Sequence, residues 1–311
     1  MKISFHNVNF GSSSGPNTFC TRLAKQLAIF GHTLVSPSDI CDIDLINITT
    51  YQPCRGKIQI QRLDGIWTRI NDDMLNEPIK KIYSKANHVI WQSQYDKNLI
   101  ETLWGNKNGS VIHNGSSFID KLDFNLINQI REIADVIFCS SASWHPQKRL
   151  QANINAMRAY AKNTNKKCAL FVLGDVKNKI AGTDIFYVGS VDEKYYFNIY
   201  SASDALIHLA WRDHCPNVCV EALRSGTPIV CAGSGGTPEL LYNNDKHGII
   251  IDDSLNYTKN NLIFNFDEPP EINVEHFNTI PQKQFIDITN YTIEHIAKMY
   301  ENLFLELLNA K

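Results

Sequence analysis

Apolar residues along this chain fall into two kinds of run. The first kind is short and nearly continuous: KISFHNVNF at the start, IQIQRLDG from Ile58, VIFCSS from Val136, ALFVLGDV from Ala169, DALIHLA from Asp204, and Ile229–Cys231. Such runs have the length and β-branched content of buried strands, and several stop at Gly or Asp. The second kind has helical spacing. Phe19, Leu23, Leu27 and Phe30 repeat every three or four residues, with Arg22, Lys25 and Gln26 predicted to face away. Gly31 follows, as a residue tolerant of positive φ should at a helix end. Strands alternating with helices predict an α/β protein. Its 311 residues divide naturally into two such domains. The polar stretch LINQIREIAD precedes the strand at Val136, so the expected division is 1–132, 133–284 and a terminal segment 285–311. Residues 253–283 read as an irregular wrapping connection. Phe285–Leu308, with Ile288, Tyr291, Met299, Phe304 and Leu308, reads as a final helix.

The segment from His208 to Leu240, HLAWRDHCPNVCVEALRSGTPIVCAGSGGTPEL, concentrates the chemistry. A strand runs into Asp213, and an HCPN turn opens a short helix carrying Glu221. A Gly-Thr-Pro stop leads to a second strand and then to a glycine loop ending at Glu239. Pro216 suits the first helical turn, where its missing N–H has no partner to lose. The N–H groups of Asn217, Val218 and Cys219 would then point along the helix dipole at an anion, best a diphosphate. Glu221 could accept hydrogen bonds from a vicinal diol such as a ribose, while Asp213 would reach the same place from the loop. Taken singly, the two acids read equally well as a turn residue and a solvated helix residue. Together they read as a site.

At this point the chain resembles the retaining glycosyltransferases of family 4, which have the two-domain GT-B fold. The resemblance rests on Asp213–x7–Glu221 followed by AlaLeuArgSerGlyThrProIleVal, with Asp where that family usually has Glu. It extends to NFGSSSGPNTFCTRLAKQLAIFGH, to VIHNGSS (Val111–Ser117) and to IFCSSASWHPQKRL. The resemblance implies two Rossmann-like domains with a donor cleft between them and a terminal helix crossing back to the first domain. It implies transfer of a sugar from a UDP- or GDP-sugar co-substrate to a hydroxyl on a glycan or glycolipid, with no bound cofactor and no metal. Lys148 falls at the lysine that clamps the diphosphate; the matching Arg position falls on Ser143, and Arg149 is its substitute. By the same resemblance Gly189 and Val191 edge the nucleobase pocket, and Gly235, Gly236 and Glu239 lie near the donor sugar. Gly11 and Gly15 face the reacting sugar from the first domain. Glu239 reads equally as a cap of the next helix. Arg62 and Asp64 fall where many relatives carry a His. They are either an acceptor-facing pair, with Asp64 catalytic, or a structural ion pair at a strand end.

Charge and cysteine content narrow the alternatives. A net charge of −2 gives no general pull toward nucleic acid or anionic lipid. The eight cysteines form no C-x-x-C pair, and several, such as Cys139, Cys168 and Cys231, sit in apolar strands. Reduced, buried thiols in a cytoplasmic protein explain them. Cys215 and Cys219 beside Asp213 and His214 have a spacing that the helix turn already accounts for. No run approaches the roughly 20 apolar residues of a spanning helix, and Met1-Lys2 leads straight into a strand without a targeting segment. Lys80, Lys81 and Lys85, with Ile82 and Tyr83, form either a basic strip that makes weak peripheral membrane contact or a solvated helix face. A dinucleotide-dependent dehydrogenase fails on the lack of a G-x-G-x-x-G after the first strand. A catalytically inactive nucleotide-sugar-binding module and a GT-B epimerase or hydrolase are the remaining alternatives to a transferase.

Overall fold

The computed structural model describes residues 1–12, 14–68, 73–118, 121–242, 244–253, 267–283 and 286–310. Among these, two compact units each carry one six-stranded, wholly parallel sheet. The first takes Met1–Ser117 and the chain from Asn290, and the second takes the described residues from Phe118 to Thr289.

In the first unit the strands are β1 (Lys2–His6), β2 (Thr33–Val35), β3 (Cys41–Asn47), β4 (Gly56–Leu63), β5 (His88–Trp91) and β6 (Gly109–Val111). They lie in the order β2-β1-β3-β4-β5-β6. The helices are α1 (Gly15–Ile29), α2 (Asp73–Lys85) and α3 (Gln94–Trp104). Ser93 caps α3 by accepting from the Asp96 N–H at 3.1 Å. Gly31 takes φ +89° just past α1, the left-handed stop expected there.

The second unit runs α4 (Phe124–Arg131), β7 (Val136–Ser141), α5 (Leu150–Thr164), β8 (Cys168–Leu173), β9 (Ile185–Gly189), α6 (Glu193–Ala202), β10 (Ala205–His208), α7 (Asn217–Arg224), β11 (Ile229–Ala232) and β12 (Gly248–Ile251). Its strand order is β12-β11-β10-β7-β8-β9. Counted from β7, that is the doubly wound order of dinucleotide-binding sheets, and the strand order reverses between β7 and β10. Ligands of such sheets sit beyond the carboxyl ends of the strands at that reversal.

The break between the units falls at 117/118, earlier than the division at 132/133. The reason is α4, which packs on α6 of the second unit. The Asp123 N–H donates to Asn198 Oδ1 at 2.7 Å, and Arg131 reaches the Ala202 carbonyl and Asp204. In the connection 253–283, residues 254–266 lie outside the described residues. The described part is not merely wrapping, because Phe277 packs on Phe138 and Tyr160 in the core.

The last helix, α8 (Ile293–Asn309), belongs to the first unit, where it packs against α1. It starts later than the reading from Phe285, which itself lies outside the described residues. Thr292 caps it, accepting from the His295 N–H at 3.2 Å. Tyr291 and Phe304 are fully buried, whereas Met299 turns to solvent. This packing also explains a misreading of α1. Arg22 and Gln26 are buried, not outward-facing, because α1 packs against both the sheet and its neighbour α8 and buries a wider stripe than one apolar row. Phe304 joins Ile3, Phe5, Leu23, Ile43 and Tyr300 in that core. Replacing Phe304 with Ala is expected to cost about 3–5 kcal/mol, as for large-to-small changes at fully buried rings, measured as a lowered urea midpoint.

Candidate functional site

Lys148 and Asp213 follow the carboxyl ends of β7 and β10, the two strands that flank the reversal in strand order. Three features bring them together. The two loops are tied to each other, since the Trp211 N–H donates to the Gln147 carbonyl at 2.9 Å and Gln147 Nε2 to the Trp211 carbonyl at 2.8 Å. A 3-10 turn, Pro146–Lys148, ends at Arg149 with φ +50°. Asp213 is also bridged to Gly235 after β11, with the Gly236 N–H donating to its carbonyl at 2.7 Å. A Cβ at Gly235 would collide with the Asp213 carbonyl, so only glycine allows the two loops this approach.

The Asp213 carboxylate is the focus. One oxygen, Oδ2, accepts from Lys148 Nζ at 2.5 Å and lies 2.9 Å from His208 Nε2. Burial works to raise its pKa, but the Lys148 charge and the His208 contact outweigh it and hold the carboxyl well below the usual range. For His208 the balance runs the other way, because burial lowers its pKa more than Asp213 raises it. At neutral pH this is an ionised acid between an ammonium and a neutral imidazole.

His208 escaped the sequence reading. Its signal was a lone histidine closing the apolar strand ALIH, five residues before the acid. Arg149 is placed differently from Lys148. Its guanidinium is buried, paired with Asp253, and donates to the Pro270 carbonyl at 2.8 Å and the Leu209 carbonyl at 3.3 Å. Its donors therefore face into the unit and brace the loops. Asp253 also went unread, since it lies in the irregular connection, 104 residues away in sequence.

Pro216 occupies the N-cap position, one residue before the first turn, so α7 opens with Asn217 and Val218. The Cys219 N–H already donates to the Pro216 carbonyl at 3.0 Å, which removes it from the set of anion donors. Glu221 sits one turn in and is 5% exposed. Burial and the Glu221 charge push the Tyr200 hydroxyl well above its ordinary pKa. Gly189 has φ +76° and accepts from the Gly174 N–H at 2.8 Å. Beside it the Asp175 carboxylate accepts from the Ser190 N–H and hydroxyl, and Val191 is half-buried. Glu239 lies in a 3-10 turn, Thr237–Leu241, that follows Gly235 and Gly236.

In the first unit Gly11 lies in the turn before α1, and Gly15 is the first residue of that helix. Asp64 is paired with Arg62, whose buried guanidinium also donates to Asn114 Oδ1 at 2.6 Å and lies 4.1 Å from the centre of the Phe19 ring. Lys80, Lys81 and Lys85 are exposed on α2, but Tyr83 is not part of that strip. It is buried and donates to the Gly105 carbonyl at 2.8 Å. All eight cysteines are free, and only Cys54 is less than buried.

Residues 125–260 match the family described as "Glycosyl transferases group 1". No curated protein sequence matches the chain. Three solved structures share its fold along the whole length. Sucrose-phosphate synthase (tll1590) from Thermosynechococcus elongatus has a TM-score of 0.71 at 12% identity, covering 100% of both chains. Anabaena Alr3699/HepE in complex with UDP-glucose has a TM-score of 0.64 at 14% identity, again covering 100% of both. AviGT4, a glycosyltransferase involved in avilamycin A biosynthesis, has a TM-score of 0.64 at 14% identity, covering 100% of this chain and 99% of that one. The family match supports a group 1 glycosyltransferase over residues 125–260, and along the whole chain the fold is the two-unit α/β architecture of GT-B glycosyltransferases. Among the described residues, no helix is long and apolar enough to cross a membrane.

The electrostatics of the cluster give an acid-side signature. Both His208 and Asp213 have folded pKa values below their unfolded ones, so each stabilises above its unfolded pKa and loses that contribution as pH falls. Stability should fall in two steps, one below about pH 6.5 and one below about pH 4. His208→Gln should shrink the first step and Asp213→Asn the second, read by urea unfolding across that range.

Proposed function

We propose that this chain moves a sugar from a nucleoside-diphosphate sugar to a hydroxyl of a glycan or lipid-linked glycan, with retention at the anomeric carbon. The observation that carries this reading is the meeting of Lys148, Asp213 and the N-terminus of α7 at the strand-order reversal of the second sheet. There a leaving diphosphate would meet an ammonium and the N–H groups of Asn217 and Val218, which stabilise the developing charge. Glu221 holds the ribose diol. Asp213 positions the donor sugar and supports positive charge at the anomeric carbon. Gly189 and Val191 edge the base, and the Gly235, Gly236 and Glu239 loop flanks the sugar.

Two roles change with the geometry. Arg149 is assigned to bracing the loop through Asp253, which leaves Lys148 as the diphosphate cation. Asp64 is assigned to neutralising Arg62 inside the first unit, not to the acceptor. The Anabaena structure with UDP-glucose favours a UDP-sugar donor, with a GDP-sugar as the other candidate. The exposed Lys80, Lys81 and Lys85 suit weak peripheral contact with the membrane of a lipid-linked acceptor, and eight free thiols suit the cytoplasm.

A thermal-shift series with UDP, GDP, ADP, TDP and their common sugar conjugates tests this reading. One nucleoside diphosphate should raise the Tm of the wild type by mass action, with the shift lost in Glu221→Ala. Tight binding without glycoside formation would mark an inactive binding module. No shift with any nucleotide, in a folded sample, would overturn the donor site.

A further inference from the structure

The first unit's parallel sheet has two unlike faces. Strand alternation and register place Ile3, Phe5, Ile43, Leu45, Ile58 and Ile60 on the face that packs with α1 and α8. The opposite face carries Ser4, His6, Asp44, Gln59 and Gln61. Parallel sheets are usually apolar on both faces. Here a fully buried acid sits in mid-strand with a fully buried histidine beside it.

Residues 48–55 cover this polar face. They join the end of β3 to the start of its parallel neighbour β4 without a helix, where such crossovers ordinarily need a dozen or more residues. The connection leaves β3 through Ile48 at φ +67°, a strained conformation for a β-branched residue. It then carries Thr50 and Cys54 back over the sheet. Ile48 packs against the apolar cluster of Leu63, Val89 and Trp91 farther along this face, but beyond it Thr50 and Cys54 meet only the polar groups.

Asp44 accepts from the Ser4 hydroxyl at 2.5 Å, the Cys41 thiol at 3.1 Å and the Gly56 N–H at 2.6 Å, and its Oδ1 lies 3.1 Å from His6 Nε2. Among the described residues no lysine or arginine bonds to it. Burial opposes its ionisation, but these contacts from His6, Ser4 and Gly56 outweigh it and keep it a carboxylate. The other nitrogen of His6, Nδ1, lies 3.1 Å from Thr50 Oγ1, which fixes the ring. Cys54, on the cover, brings a thiol to the same place. The ligand atoms of His6, Asp44 and Cys54 all lie within 4.8 Å of one another. Tetrahedral ligands of one zinc ion stand roughly 3.3–3.7 Å apart, so small rotations would close the set.

We propose that His6, Asp44 and Cys54 form a binding site for a borderline-soft divalent cation of the zinc class, which clips the 48–55 connection to the polar face of the sheet. The donor set of imidazole, carboxylate and thiolate is the one such ions prefer over magnesium or calcium. Binding displaces the Cys54 proton to solvent and leaves the fourth position to water or to Cys41. Entry is through the open cavity of about 1060 Å³ that Thr50 and Cys54 line together with α2. The ion takes no part in sugar transfer. It supplies a cross-link over the polar part of the face, beyond the apolar contact of Ile48.

The test uses the full chain, stripped with a chelator and dialysed against Zn²⁺, with metal content read by mass spectrometry and Tm by calorimetry. The expected result is one zinc per chain, a Tm raised by Zn²⁺ but not by Mg²⁺, and a thiolate-to-metal charge-transfer band on Co²⁺ loading. Cys54→Ser, at a half-buried position, should fold, lose that band and bind zinc at least about tenfold more weakly, whereas Cys168→Ser should match the wild type. Less than a tenth of an equivalent of zinc on folded wild-type chain, or a Co²⁺ spectrum unchanged in Cys54→Ser, would overturn the proposal. If Cys54→Ser does not fold, the wild-type zinc content and Co²⁺ band decide alone.

Discussion

The second unit is organised around a carboxylate withdrawn from water. Desolvating one charge costs several kcal/mol unless partners replace the lost hydration. Asp213 has three such partners: Lys148 beyond β7, His208 at the end of β10 and the His214 N–H beside it. That requirement fixes the surrounding backbone. The loop after β7 must be tied to the loop after β10, and the glycine loop after β11 must come close enough to bridge Asp213. Arg149 and Asp253 form a second buried pair that holds the same loops from beneath. A cation already beside an acid, at the mouth of a doubly wound sheet, is charge arranged before any anion arrives.

Most of the fold was legible because each element announced itself locally. Strands such as Val136–Ser141 and Cys168–Leu173 are unbroken apolar runs, as strands buried on both faces should be. Gly31 and Gly189 marked turns that do take positive φ. Asp213 and Glu221 stood out because they flank one helix start, whereas Lys148, 65 residues from Asp213, was named only through the family resemblance. What could not be read depends on distance along the chain. The burial of Arg22 and Gln26 does not show in the apolar row of α1, and α8, which packs on α1, arrives more than 260 residues later. The inward turn of Arg149 needs Asp253, and the placement of α4 needs α6. His208 belongs to the same class, since a histidine ending a strand reveals nothing until the loop after it folds back.

The two sheets solve the same architectural problem with different chemistry. The second carries apolar residues on its central strands and gathers its polar groups at the strand ends. The first gives part of one face to Ser4, His6, Asp44 and Gln61, held by hydrogen bonds to each other and to the chain covering them. Gln61 donates to the carbonyls of Ile48 and Ile79, so it ties the helix-free connection and α2 to the same strand. Such a face depends on pairing every polar group, and it specifies its cover more narrowly than greasy packing does.

The membership of α8 in the first unit has a consequence for how the molecule is made. Domains ordinarily fold as they leave the ribosome, the N-terminal one first. Here the core around Phe19, Leu23 and Ile43 lacks Ile296, Tyr300 and Phe304 until almost the entire chain has been translated. The second unit has all its described strands and helices before that moment. Until then the nascent first sheet has α1 but not α8 on that apolar face, an interval during which chaperones would be its natural cover.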